Sequence, residues 1–149
     1  MYETLELQID GTIARLWLNR PEKLNPLSVA TLTELVAAAD ALNREVAVRA
    51  VIIGGRGRCF SAGADLAGFP HPGEAGAREA ADAGRRAADA IEGLRAISIA
   101  RIHGWCVGGG LVIAASCDLR VAAADTRFSI PEIDLGIPLA WGGIPRLVR

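Results

Sequence analysis

Residues 100–115 read Ala100-Arg101-Ile102-His103-Gly104-Trp105-Cys106-Val107-Gly108-Gly109-Gly110-Leu111-Val112-Ile113-Ala114-Ala115. The apolar run from Ile97 to Ile102 predicts a short buried strand. Three consecutive glycines follow, and then Leu111-Val112-Ile113-Ala114-Ala115, too apolar to face water on any side. A strand, a glycine turn and a buried helix aim backbone N–H groups at a bound group. Glycine takes positive φ and leaves room for close approach. The first turn of a helix has N–H groups without internal partners and carries partial positive charge. Such an end holds an anion, or an oxygen that becomes one. The same glycines also suit a tight turn under crowded packing, and on this stretch alone both readings stand.

A second stretch, Cys59-Phe60-Ser61-Ala62-Gly63-Ala64-Asp65-Leu66, also follows an apolar strand, Ala50-Val51-Ile52-Ile53. It too has small residues where a backbone N–H could be presented, so two loops could direct a pair of donors at one oxygen. Further motifs follow in order: Cys117-Asp118-Leu119-Arg120, Phe128-Ser129-Ile130-Pro131-Glu132, Leu135-Gly136-Ile137-Pro138 and Gly142-Gly143-Ile144-Pro145-Arg146-Leu147. With the glycine run and Phe60 to Leu66, this ordered set resembles the crotonase superfamily, the enoyl-CoA hydratases and isomerases. The likeness runs from the N-terminal hairpin to the last residue. It implies an α/β fold, a crotonase-like spiral of strand-strand-helix units lacking the C-terminal helical trimerisation region. It also implies one core domain over residues 1–149, cut short at its C-terminal end.

Composition fits that class. The chain has 149 residues, 51% hydrophobic and 22% charged, one domain's worth with a real core. A net charge of −1 gives no field that draws nucleic acid or an acidic membrane surface. No N-terminal segment reads as a signal peptide and no apolar run is long enough to span a bilayer, so a cytoplasmic location is expected. Cys59, Cys106 and Cys117 are scattered without metal-ligand spacing and are read as buried, reduced thiols.

Leu5 to Ile9 and Thr12 to Leu18 alternate around Asp10-Gly11, a hairpin signal. A loop with two prolines follows. Ser28 caps a helix to about Asn43 with an apolar face of Val29, Leu32, Leu35, Val36, Ala39 and Leu42, extended by Val46. Val48 to Ile53 predicts a strand and Gly54 to Arg58 a mobile basic loop. There Arg56 or Arg58 either meets a phosphate or keeps the loop soluble. Glu74 to Arg95 predicts a helix of small side chains with a polar face. His71, between prolines, is expected at the surface. His103 is read as a structural histidine, since no nucleophile or carboxylate partner is evident. Leu119 to Ala123 predicts another strand, Asp125-Thr126-Arg127 a turn, and Arg146 to Arg149 the start of a helix.

The resemblance implies the chemistry of an acyl-CoA thioester. The thioester oxygen gains charge when the α-carbon is deprotonated, and two aligned N–H donors stabilise the enolate. Losing one such donor costs about 3 kcal/mol of barrier lowering. Carried onto this chain, the donors are the backbone N–H groups of Ala64 and Gly109. The substrate-binding residues are Lys23, Ala62, Ala64, Asp65, Leu66 and Gly109. Lys23 equally reads as a solvated charge. Coenzyme A belongs to the substrate, so no separate cofactor and no metal is implied.

The family's hydratases use two glutamates. The second is present, at Pro131-Glu132. The position of the first is Val112, which cannot move a proton. Hydration needs water activated and a carbon protonated, whereas moving a double bond needs one carboxylate that takes a proton and returns it two carbons away. Glu132 alone therefore favours an isomerase over a hydratase. Read without the family, Glu132 is an ordinary loop carboxylate, as most glutamates are exposed. Asp134 is a candidate substitute acid expected to face away from Glu132. Asp118 is read as structural, capping the helix or pairing with Arg120 or another arginine. A trimer or hexamer is implied for full-length relatives. The rival reading is a truncated, non-catalytic acyl-CoA binder or assembly subunit.

Overall fold

The computed structural model describes residues 1–68, 70, 73 and 75–148. The expectation for His71 therefore lies outside the described residues. Strands β1 (Leu5–Asp10) and β2 (Ile13–Leu18) form the predicted antiparallel hairpin, with the turn one residue later than the sequence suggested. The pair Asp10↔Ile13 closes it, so Gly11 and Thr12 are the turn, and positive φ falls on Gly11 alone of the two. Placing glycine first is what a two-residue loop requires when only its first residue turns left-handed.

Helix α1 (Val29–Arg44) starts where Ser28 caps it, its side chain accepting from Thr31 N at 3.2 Å. It buries Leu32, Leu35, Ala38, Ala39 and Leu42; Val46 lies beyond its end and is exposed. Strand β3 (Ala50–Gly55) takes in Gly54 and Gly55, so the expected mobile loop begins only at Arg56. These glycines are packed: a Cβ on Gly55 would fall 2.3 Å from the Cys59 carbonyl oxygen. Helix α2 (Ala77–Glu92) is shorter than predicted and turns Ala80, Ala83, Gly84, Ala87, Ala88 and Ile91 inward.

Strand β4 (Ile97–Ile102) matches its predicted span but is buried on one face only, through Ser98, Ala100 and Ile102. Between it and the glycines lies β5 (Trp105–Val107), which the sequence reading passed over. Helix α3 (Gly109–Ala115) is buried through Gly109, Gly110, Val112, Ile113 and Ala114. Strands β6 (Leu119–Ala122) and β7 (Arg127–Ser129) follow, the latter beginning inside the expected turn. Helix α4 (Gly143–Leu147) starts earlier than expected. Its Pro145 is tolerated because first-turn N–H groups have no intrahelical partner.

The strands sort into a five-stranded sheet, β1-β2-β3-β4-β6, parallel after the first pair, and a parallel two-stranded sheet, β5-β7. Successive units give one strand to each: β4 then β5, β6 then β7. After β3 the second strand shrinks to bridges, Ser61↔Cys106 and Leu27↔Ala64. Leu16, Leu18, Leu32, Leu35, Val51, Ile53, Phe60, Ile91 and Ile113 fill the core between sheet and helices.

Two polar joints hold the layers, the first partly buried and the second buried. The Asp118 carboxylate accepts from Ser98 N at 2.7 Å and Ser98 Oγ at 2.9 Å, tying the end of α3 to β4. Asp118 is thus structural, but through Ser98 rather than Arg120, whose guanidinium donates to the Cys117 carbonyl. Asn25, 1% exposed with φ +52°, accepts from Arg20 N and donates to the carbonyls of Arg56 and Cys59. Arg56 is accounted for: it bonds Glu6 through two nitrogens and lies 4.7 Å over the Trp17 ring. His103 Nε2 donates to the Gly57 carbonyl at 2.8 Å, a structural role. The three cysteines are free and buried; burial pushes the Cys106 and Cys117 thiols up to about 12. Among the described residues no helix is long and apolar enough to cross a membrane.

Candidate active site

A cavity of about 280 Å³ opens where the loop after β3, the start of α3, the turn after β7 and the segment before α4 meet. Its lining residues are Ala64, Ala81, Gly109, Val112, Glu132, Ile137, Pro138, Leu139, Ala140 and Trp141. Ala64, Gly109 and Glu132, far apart in sequence, are thereby brought to one place.

Ala64 is turned by its neighbours. Leu27 N donates to the Gly63 carbonyl at 2.8 Å and Asp65 N to the Leu27 carbonyl at 3.0 Å. That parallel pairing leaves the Ala64 N–H facing away from Leu27, without an acceptor among the described residues. Ser61 braces the loop from beneath, its Oγ donating to the Asn25 carbonyl at 2.8 Å and accepting from Gly63 N at 3.1 Å. Gly63 has φ +96°, and a Cβ there would stand 2.9 Å from the Val107 carbonyl oxygen, so the loop lies directly against β5.

Gly108 connects β5 to α3 at φ +49° and ψ −114°. Its N–H donates to the Ser129 carbonyl at 2.9 Å, joining the site to β7. The next N–H, of Gly109, is the first of the helix and has no acceptor among the described residues. Glu132 sits in a 3-10 turn, Pro131–Ile133, that folds its carboxylate over Gly108. A Cβ on Gly108 would fall 2.6 Å from Glu132 Oε1. Oε2 is buried with no hydrogen-bond partner among the described residues.

Glu132 is the only ionisable side chain among the described lining residues. Val112, fully buried, lines the same cavity. Asp134 is exposed and off the cavity. The reason is the 3-10 turn, since in extended backbone residues two apart share a face. Lys23 is exposed at the end of the 3-10 turn Pro21–Lys23. Ala62 is exposed, its N–H donating to the Leu24 carbonyl at 2.9 Å. Asp65 faces Arg20 at 3.5 Å. None of these three lines the cavity, and the Leu66 side chain is outside the described residues.

A second cleft of about 470 Å³ is lined by Leu24, Arg58, Cys59, Gly104, Trp105, Asp125 and Arg127. It holds Arg58 but none of Ala64, Gly109 and Glu132. The smaller cavity brings Ala64, Gly109 and Glu132 together and is the candidate site.

No sequence motif marked out Trp141, Gly84 or Ala81. The signal for Gly84 was a glycine inside an alanine-rich helix, which marks close approach. What approaches is the Trp141 indole.

Residues 8–149 match the profile of the enoyl-CoA hydratase/isomerase family. The chain belongs to that family. It is 38% identical over 149 residues to a crotonyl-CoA hydratase of Syntrophomonas wolfei, covering 99% of this chain and 57% of that protein. A peroxisomal Delta(3,5)-Delta(2,4)-dienoyl-CoA isomerase of Arabidopsis thaliana is 34% identical, covering 98% of this chain and 58% of that one. The crystal structure of an enoyl-CoA hydratase from Bacillus anthracis superposes with a TM-score of 0.90 at 33% identity, covering 97% of this chain and 57% of that chain. This member of the enoyl-CoA hydratase/isomerase family thus has the crotonase fold, and spans somewhat more than half the length of the relatives it matches.

Proposed function

We propose that the chain is an acyl-CoA-processing enzyme whose thioester carbonyl is held by Ala64 N–H and Gly109 N–H. Glu132 carries the proton. One observation bears most of this reading: two N–H groups without internal acceptors and a carboxylate with an unpartnered oxygen line one otherwise apolar cavity. In such a site donors act on developing charge at low dielectric, each worth about 3 kcal/mol. Isomerisation is favoured over hydration because Val112 occupies the place of a second carboxylate. Glu132 takes a proton from C2 of a 3-enoyl thioester, and the C–H electrons form the enolate conjugated with the 3,4 double bond. The proton returns at C4, the double bond moves to C2–C3, and the carboxylate is regenerated. Lys23, Ala62, Asp65 and Leu66 are assigned to the coenzyme A side of the substrate.

The test presents a 3-enoyl-CoA and a 2-enoyl-CoA to the purified chain, following migration and hydration separately. Migration without hydration, lost in Glu132→Gln, is the expected result. Hydration matching migration would overturn the one-carboxylate assignment. Binding without either reaction would favour a non-catalytic acyl-CoA binder.

A further inference from the structure

Trp141 departs from the rest of the cavity wall. Its φ is +59°, a region a bulky residue enters only where its surroundings force it. The turn is clamped from outside. Arg146 Nη1 donates to the carbonyls of Trp141 at 3.1 Å and Gly142 at 3.2 Å, while Nη2 reaches Asp89 at 2.7 Å and Glu92 at 2.6 Å on α2. The indole lies against two glycines. A Cβ on Gly84 of α2 would stand 2.0 Å from its Cδ2 and Cε2, and a Cβ on Gly109 of α3 would stand 2.1 Å from its Cζ3. Both helices thus carry a glycine where any side chain would displace this ring. The ring is wedged between them and walls a cavity of about 280 Å³. Ligand pockets run from about 300 to 1,000 Å³, so this one lies just below that range.

We propose that Trp141 sets the length of the acyl group: the wedged indole closes the cavity behind the first few carbons, and the substrate is a short-chain acyl thioester. This rests on the acyl-CoA reading above and adds to it a specificity-determining residue. A longer chain has no room past the ring, whereas truncating the ring opens the space between α2 and α3 to it.

The test measures binding of butyryl-, octanoyl- and dodecanoyl-CoA by calorimetry to the full chain and to Trp141→Phe, Trp141→Leu and Trp141→Ala. The unaltered chain should favour butyryl- over octanoyl-CoA by about tenfold or more, and the leucine and alanine variants should shift that ratio toward octanoyl-CoA by about tenfold or more. The phenylalanine variant should fall between. A preference of the unaltered chain for octanoyl- or dodecanoyl-CoA overturns the proposal whatever the variants do. So does a folded variant series that binds with an unchanged ratio. If the unaltered chain binds none of the three, the acyl-CoA reading itself fails, and this assignment with it.

Discussion

Gly108→Ala probes the joint between backbone and carboxylate. At φ +49° and ψ −114°, Gly108 occupies a conformation that alanine enters only under strain, at a cost of about 1–3 kcal/mol. For a chain of this size the melting temperature should drop by roughly 2–4 °C per kcal/mol. The added methyl would lie 2.6 Å from Glu132 Oε1 and 3.4 Å from its Cδ and Oε2. A carboxylate at the end of a flexible side chain yields before the backbone does, so Glu132 swings aside. A displacement on the order of 1 Å costs about 10²-fold in rate, and outright removal in Glu132→Ala about 10²–10⁴-fold. Scanning calorimetry gives the first quantity and double-bond migration in a 3-enoyl-CoA the second. A folded Gly108→Ala chain that isomerises within threefold of the parent would refute the assignment of Glu132 as proton carrier. An unchanged melting temperature would refute the strain.

Three further outcomes are expected. Val112→Glu places a second carboxylate in the cavity, and hydration of a 2-enoyl-CoA should rise by about 10²-fold or more relative to migration, read by following both products. Asp118→Ala removes the one oxygen that accepts both hydrogen bonds from Ser98, which is 1% exposed, and should lower the unfolding free energy in urea by about 2–4 kcal/mol. The Cys106 and Cys117 thiols titrate near 12, above their usual 9, so the folded state holds their protons longer than the unfolded one. Their contribution to stability is complete below about pH 9 and is lost as pH rises toward 12. Iodoacetamide at pH 8 should therefore leave both unmodified until the chain is unfolded, as intact mass would show.

The sequence spelled out elements whose signal is local. The span of β4 followed from a mostly apolar run, and the start of α1 from Ser28 and its helical apolar spacing. What it hid was non-local or short. Strand β5 is three residues between glycines and exists because β7 and Ser61 pair with it from either side. Arg56 looked free because Glu6, its partner, is fifty residues away. Asp118 was given the wrong partner because Ser98 lies on the neighbouring strand, twenty residues away. Ala64, Gly109 and Glu132 came from resemblance; no spacing rule places residues 64, 109 and 132 around one cavity. The wedge at Trp141 was hidden since its evidence is split between Gly84, Gly109 and a backbone angle.

The same wedge makes the protein its own optical probe. Of three tryptophans, Trp17 is 7% exposed beneath Arg56 and Trp105 is 44% exposed. Only Trp141 borders the cavity. With Trp17 and Trp105 replaced by phenylalanine, the remaining emission comes from the cavity wall. On the proposed function, an arriving acyl group should dry one face of the indole and move its spectrum to the blue, so occupancy could be followed in real time without a labelled ligand or a turnover event.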